Sequence, residues 1–190
     1  MKKYYISLLL MIFFTSTVFS QVMTDVDGND YSTKSLSGNV WTVEDANMDK
    51  YSDGTLIPQV TDTVKWGKLT TGAWCYVDND SSKGKLYNAY ALAKLAPKVW
   101  PVATKEEWST LEEYTAVSLA SGEGWKKSDT GTTPGNRMAN NNETGFNAYP
   151  SGERWTIASG GIFFNEGSMA SYWTSTVDSG DLSGWVTLYY

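Results

Sequence analysis

The chain has 190 residues, 41% hydrophobic and 14% aromatic, with 15 basic against 21 acidic side chains and a formal net charge of −6. That composition fits one ordinary globular domain and excludes a fibrous or disordered chain, and the acidic balance, with no basic patch to neutralise phosphates, excludes nucleic acid as a partner. With no His and a single Cys75, Ser-His-Asp and Cys-His catalysis, His-based metal sites and an internal disulfide are excluded as well.

Residues 1–20 read as a secretory signal peptide. Lys2 and Lys3 form a basic n-region, Ile6 to Phe14 an apolar h-region, and Val18-Phe19-Ser20 a cleavage site. The apolar run is shorter than the roughly 20 residues a membrane span needs, so no transmembrane segment is expected in the mature chain. Cleavage would remove both lysines and take the net charge from −6 to −8. Residues 21–190 then form a single domain. No Cys stands directly after the cleavage site, where Gln21 is found, so a lipid anchor is not indicated, and Cys75 reads as a small buried apolar side chain rather than a reactive thiol.

Thr24 to Lys34 centres on Asp-Gly-Asn between β-prone segments, the pattern of a hairpin. Asp25, Asp27 and Asn29 suggest calcium at first sight, but Gly28 stands fourth and Asp30 sixth, which is not an EF-hand register. Trp41-Thr42-Val43 reads as a strand, and Gly54 to Pro58 as a turn with an extended tail. Val64 to Tyr76 reads as loop and strand. Asp78, Asn79 and Asp80 follow as a solvated turn.

Two helices are expected in the middle of the chain. The first runs from Leu86 to Leu95 and is ended by Pro97. The second begins at Thr104, where Thr104 and Glu107 have the spacing of a capping box, with Trp108, Leu111 and Thr115 on the buried face. Glu106, Glu107, Glu112 and Glu113 on that helix could in principle supply a carboxylate pair, but acidic residues in first turns ordinarily favour the helix dipole and face water. Ser121 to Asn142, rich in Gly, Ser, Thr and Asn, reads as a long surface excursion. Glu143 to Thr176 alternates aromatic residues with glycines and short polar residues, as a loop-rich β region does. Gly184 to Tyr189 alternates as a final strand.

In order and spacing these segments resemble the Fibrobacter succinogenes major paralogous domain, which is found in exported proteins of Bacteroidetes and related bacteria. The matching landmarks are Asp25-Val26-Asp27-Gly28-Asn29; Trp41 with Glu44; Tyr51 to Thr55 with Ile57-Pro58; Gly84 to Asn88; Trp100; Thr104 with Glu107-Trp108; Glu143 to Phe146; Gly152 with Arg154; and Tyr172 to Thr176. The resemblance covers nearly all of the mature chain. It implies an α+β, C-type-lectin-like fold with two helices, small antiparallel sheets and a long irregular loop region. Two departures stand out. The family's Cys-Pro-Gly-Trp-His segment is replaced by Ala96-Pro97-Lys98-Val99-Trp100-Pro101, and the chain ends at Tyr190, before the family's closing strand and its second Cys. The disulfide that the resemblance implies, ordinarily a stabilisation of about 2–4 kcal/mol, would thus be absent here, leaving an exposed sheet edge.

The resemblance further implies export to the extracellular space, cell surface or periplasm, and a binding or adhesive role without an assigned reaction. The expected partner is a carbohydrate or a surface protein. Candidate ligand contacts are Trp125, Arg154, Trp155 and Trp185, with Asn165 and Glu166 as polar contacts, since Trp faces stack on sugar rings and also anchor protein interfaces. Trp108, Phe146 and Trp173 read as framework. No cofactor is expected. Calcium-dependent sugar binding would need a carboxylate cluster beside a strand, and Asp178 and Asp181 are the nearest approximation. The alternatives are a structural surface-assembly module and a carboxylate-dependent glycosidase drawing on Glu106, Glu113, Glu143 or Glu166.

Overall fold

The computed structural model describes residues 21–116, 145–146, 148–157, 160–177 and 183–189. The described chain is mixed α+β with few helices and several small antiparallel sheets. It opens with a meander of β1 (Val22–Thr24), β2 (Asp30–Leu36) and β3 (Asn39–Thr42). The first turn is the Asp-Gly-Asn hairpin read from the sequence. The Asp25 carboxylate, buried within it, accepts hydrogen bonds from the Asp27 N–H (2.8 Å), the Asn29 N–H (2.9 Å), the Asn29 amide (2.8 Å) and the Tyr31 hydroxyl (2.7 Å). Burial alone would raise its pKa, but these donors together outweigh it and hold Asp25 below the usual carboxylate value. Asp27 accepts from the backbone N–H groups of Asp49 and Lys50 and pairs with the Lys50 ammonium at 2.9 Å. Both carboxylates therefore tie the turn together and fasten it to the segment around residue 49.

The middle of the chain departs from the sequence reading in two places. The stretch read as loop before Tyr76 contains a short helix, α1 (Thr63–Gly67), capped by the Asp62 carboxylate on the Lys65 N–H at 2.7 Å and held by buried Trp66. The helix expected over Leu86 to Leu95 exists only at its end, as a 3-10 turn at Ala89–Ala91 and the single turn α2 (Leu92–Leu95). Its first residues instead form β5 (Lys85–Tyr87), paired with β4 (Trp74–Tyr76), so that Cys75 faces Leu86 and Trp74 faces Tyr87. Helix propensity is a weak preference, and strand pairing beside a buried Cys75 overrides it.

Helix α3 (Lys105–Ala116) forms where the capping signal places it. The Glu107 carboxylate accepts from the Thr104 N–H at 2.7 Å and from its hydroxyl at 3.0 Å, while the Glu107 N–H donates back to the Thr104 oxygen at 3.1 Å. Trp108 and Leu111 are buried on its inner face. Two hairpins complete the described chain: β6 (Glu153–Ile157) with β7 (Gly160–Phe164), and β8 (Met169–Val177) with β9 (Ser183–Tyr189). Strand β8 is tied to the start of α3 by the Ser175 N–H on the Ala103 carbonyl and the Lys105 N–H on the Thr176 hydroxyl.

Among the described residues three small cores fill the interior. The aromatic one gathers Leu36, Trp41, Trp108, Leu111, Phe146 and Ala148, with Tyr172 and Val186 packed against it. Its rings meet mostly edge to face: Trp41 to Phe146 at 5.7 Å and 77°, Trp108 to Phe146 at 5.6 Å and 78°. The second joins Met48, Ile57, Trp74 and Leu95. The third joins Trp66, Ala73 and Cys75. Because α3 presents Trp108 and Leu111 to the aromatic core, its cap has a tertiary consequence. Thr104→Ala should lower stability by about 1 kcal/mol, read as a lower denaturation midpoint with an unchanged m-value.

Candidate functional site

The two C-terminal hairpins each divide their residues between core and surface, because successive strand residues point to opposite faces. In β8–β9, Tyr172 lies opposite Val186 and both pack on the aromatic core, whereas Ser171 and Trp173 fall on the other face, Trp173 directly opposite Trp185. In β6–β7, Arg154 lies opposite Phe163 on the inner face, and Glu153 and Trp155 fall outside, opposite Phe164 and Ile162. The strands meet where Gly152 bridges Ala170 and where the Ser171 hydroxyl donates to the Glu153 carboxylate at 2.9 Å.

Where these strands meet the segments around Trp66 and Asn88 lies a groove of about 500 Å³, with Trp155, Trp173, Trp185 and Tyr90 among its walls. Trp155, Trp185 and Tyr90 are 49%, 52% and 46% exposed, so large rings from three separate segments stand open to solvent around one concavity. Trp173 is half-buried; its indole N–H donates to the Tyr87 carbonyl at 2.8 Å and its ring meets Trp185 at 6.3 Å, nearly edge to face at 80°. The Asn88 side-chain amide in the lining accepts from the Ala73 N–H and donates to the Thr71 carbonyl. Among the described residues that line the groove, Glu153 is the only carboxylate.

The sequence-derived candidates fall into different places. Trp155 and Trp185 come together in the groove, as contacts to one ligand must. Arg154 lines it too, but its polar atoms serve the framework: Nη1 donates to the Val60 carbonyl and Nη2 to the Thr61 carbonyl, both at 2.9 Å, and Nε to the Gly161 carbonyl at 3.4 Å. Its guanidinium stacks on Trp66 at 4.5 Å and Phe163 at 4.6 Å. Asn165, with φ of +61°, and Glu166 belong to the turn between β7 and β8, and Glu166 pairs with Lys83 at 2.6 Å rather than joining the groove. Trp125, Asp178 and Asp181 lie outside the described residues.

Of the proposed glycosidase carboxylates, Glu106 and Glu113 are exposed on α3, Glu166 is in the Lys83 pair, and Glu143 lies outside the described residues. Trp108 and Phe146 are core, as read. Trp173, read as framework, is also a groove wall. Glu153 and Tyr90 were missed, although Glu153 stands two residues before Trp155, the spacing that puts two side chains on one strand face. Cys75 is buried beside Arg154, and burial pushes its thiol pKa up, which makes it inert. Among the described residues no three His, Cys, Asp or Glu side chains converge as a metal site would, and no helix is long and apolar enough to cross a membrane.

A larger cavity, about 700 Å³, lies between the Pro97–Ala103 segment and the aromatic core, with Trp41, Trp108, Phe146 and Tyr172 in its walls. These rings are already engaged with one another, which makes the cavity a poorer ligand site than the groove. Asp45 lines it. As a whole residue Asp45 is exposed, but burial of its carboxyl group pushes its pKa up to about 6, with the neighbouring Tyr172 side chain opposing the rise.

Two predictions follow from these placements. Arg154→Ala should cost about 3 kcal/mol of stability, because three carbonyls lose their donor, whereas Trp155→Ala should stay within about 1 kcal/mol; thermal denaturation of both variants checks the contrast. For Asp45 the folded state favours the protonated acid, so its contribution is full below the unfolded value and is lost as pH rises to about 6. The wild type should therefore lose melting temperature relative to Asp45→Asn between about pH 4 and pH 6, with the retained solvent access screening the size of the effect.

The model of the family described as Fibrobacter succinogenes major domain matches residues 35–189. No curated protein and no solved structure matches the chain.

Proposed function

We propose, starting from the fact that the chain belongs to the Fibrobacter succinogenes major domain family, that it is an exported or surface binding module that holds a carbohydrate in the groove between its last two hairpins. The observation that carries this reading is the convergence of Trp155, Trp185 and Tyr90, each about half exposed, on one concavity. Exposed rings cost solvation unless a ligand covers them, and the weakly polar C–H face of a pyranose suits an aromatic face. Export rests on the signal-like residues 1–20. A C-type-lectin-like arrangement of the small sheets and helices belongs to the same proposal.

Binding is favoured over hydrolysis by the carboxylate inventory. Glycosidases of both stereochemical classes use two carboxyl groups facing one bond, roughly 5–9.5 Å apart, and the groove offers Glu153 alone among its described lining residues. No cofactor enters this reading. A protein partner would draw on the outer face of β6–β7, where Ile162 and Phe164 extend the exposed apolar surface beside Trp155.

A glycan array probed with the secreted chain separates the two ligands. Carbohydrate binding predicts discrete glycan hits, and Trp155→Ala and Trp185→Ala should each weaken the best of them by at least about tenfold with little change in melting temperature. A blank array together with capture of a surface protein would move the function to protein adhesion.

A further inference from the structure

The groove has a charge as well as a shape. On the premise that its ligand is a carbohydrate, we propose that it selects glycans carrying free amino groups, such as glucosamine oligomers, over neutral and acidic ones.

The selecting group is Glu153. It shares the outer strand face with Trp155, is half-buried, and accepts from Ser171 through Oε2 at 2.9 Å. Among the described residues it has no ion-pair partner, unlike Asp27, Asp49, Asp78 and Glu166, each of which is paired with a lysine. Its Oε1 is thus open to a donor that the ligand supplies. The only basic side chain lining the groove among the described residues is Arg154, and it offers an anion little. Three of its five N–H groups serve the carbonyls of Val60, Thr61 and Gly161, and its planar faces lie against Trp66 and Phe163, which holds the guanidinium to the framework.

A ligand entering the groove therefore meets one unneutralised carboxylate set among the electron-rich faces of Trp155, Trp173 and Trp185. Both elements attract a cation: the carboxylate through a charge-assisted hydrogen bond, the rings through their quadrupoles. The net charge of the chain, −6, has the same sign and draws amines toward the surface while opposing uronates and sulfates. A sugar with an ammonium substituent satisfies both demands at once, with its C–H face on an indole and its ammonium on Glu153. An N-acetylated sugar keeps the stacking and loses the charge. A uronate places like charge against Glu153, which disfavours it.

The test is calorimetric titration of the wild type and Glu153→Gln with oligomers of equal length of glucosamine, N-acetylglucosamine, glucose and galacturonic acid, at about pH 6, where primary amines are protonated. The expected result is about tenfold tighter binding of the glucosamine oligomer than of its N-acetylated counterpart, with this advantage falling as salt is added. Glu153→Gln should bring the two within about twofold by weakening the glucosamine oligomer far more than its N-acetylated counterpart, with an unchanged melting temperature reporting that the variant is folded. Equal affinity of the wild type for the amine and the N-acetyl oligomer, a preference for the uronate, or an equal loss for every sugar in Glu153→Gln would overturn the proposal. Failure of the wild type to bind any of the sugars would instead sink the carbohydrate reading on which it rests.

Discussion

The described structure turns on the Arg154 guanidinium. It is held between Trp66 and Phe163 and donates to carbonyls in the segment before α1 and in β7. A half-buried guanidinium needs acceptors matched to its N–H groups, and here main-chain oxygens supply three of them without a carboxylate. Because neighbours on a strand alternate in direction, holding Arg154 inward obliges Glu153 and Trp155 to face outward. One residue of register slip in β6 would bury the tryptophan and expose the arginine. The groove is therefore a consequence of how that arginine is satisfied.

Close approach of α1 to β7 makes the arrangement sterically possible. A Cβ on Gly160, whose φ is +123°, would stand 2.7 Å from the Thr63 carbonyl oxygen, and one on Gly161 would run into the Trp66 indole. The glycines that make the Glu143 to Thr176 stretch look loop-like thus serve packing as well as turns. The second hairpin uses the same division, with Tyr172 to the aromatic core and Trp173 and Trp185 to the groove. Large rings with only two rotatable side-chain bonds suit both duties, since they fill a core and also present a stiff surface to a ligand.

Local chemistry was legible from the sequence wherever the physics is local. The Asp-Gly-Asn turn and the Thr104–Glu107 capping box involve partners within four residues of each other, and both form as read. The Leu86 to Leu95 helix was misread because its first residues are drawn into pairing with Trp74 and Cys75, about ten residues upstream, which no propensity encodes. The same limit applied to the site. Trp155 and Trp185 could be named as exposed aromatic candidates, but Arg154 looked equally suitable until its bonds to Val60 and Thr61, more than ninety residues away, were visible.

The sequence by itself determined the family, the mixed α+β class, the acidic charge, the lack of His and of a disulfide, and which residues are large and aromatic. Those properties follow from composition, spacing and local bonding. Tertiary structure alone decided which of those rings became core and which became groove, and that Glu153 rather than Arg154 presents an open charge beside them. The reason is that a tryptophan or a charged side chain has no intrinsic inside or outside; strand register and the long-range partners of a single guanidinium assign it one.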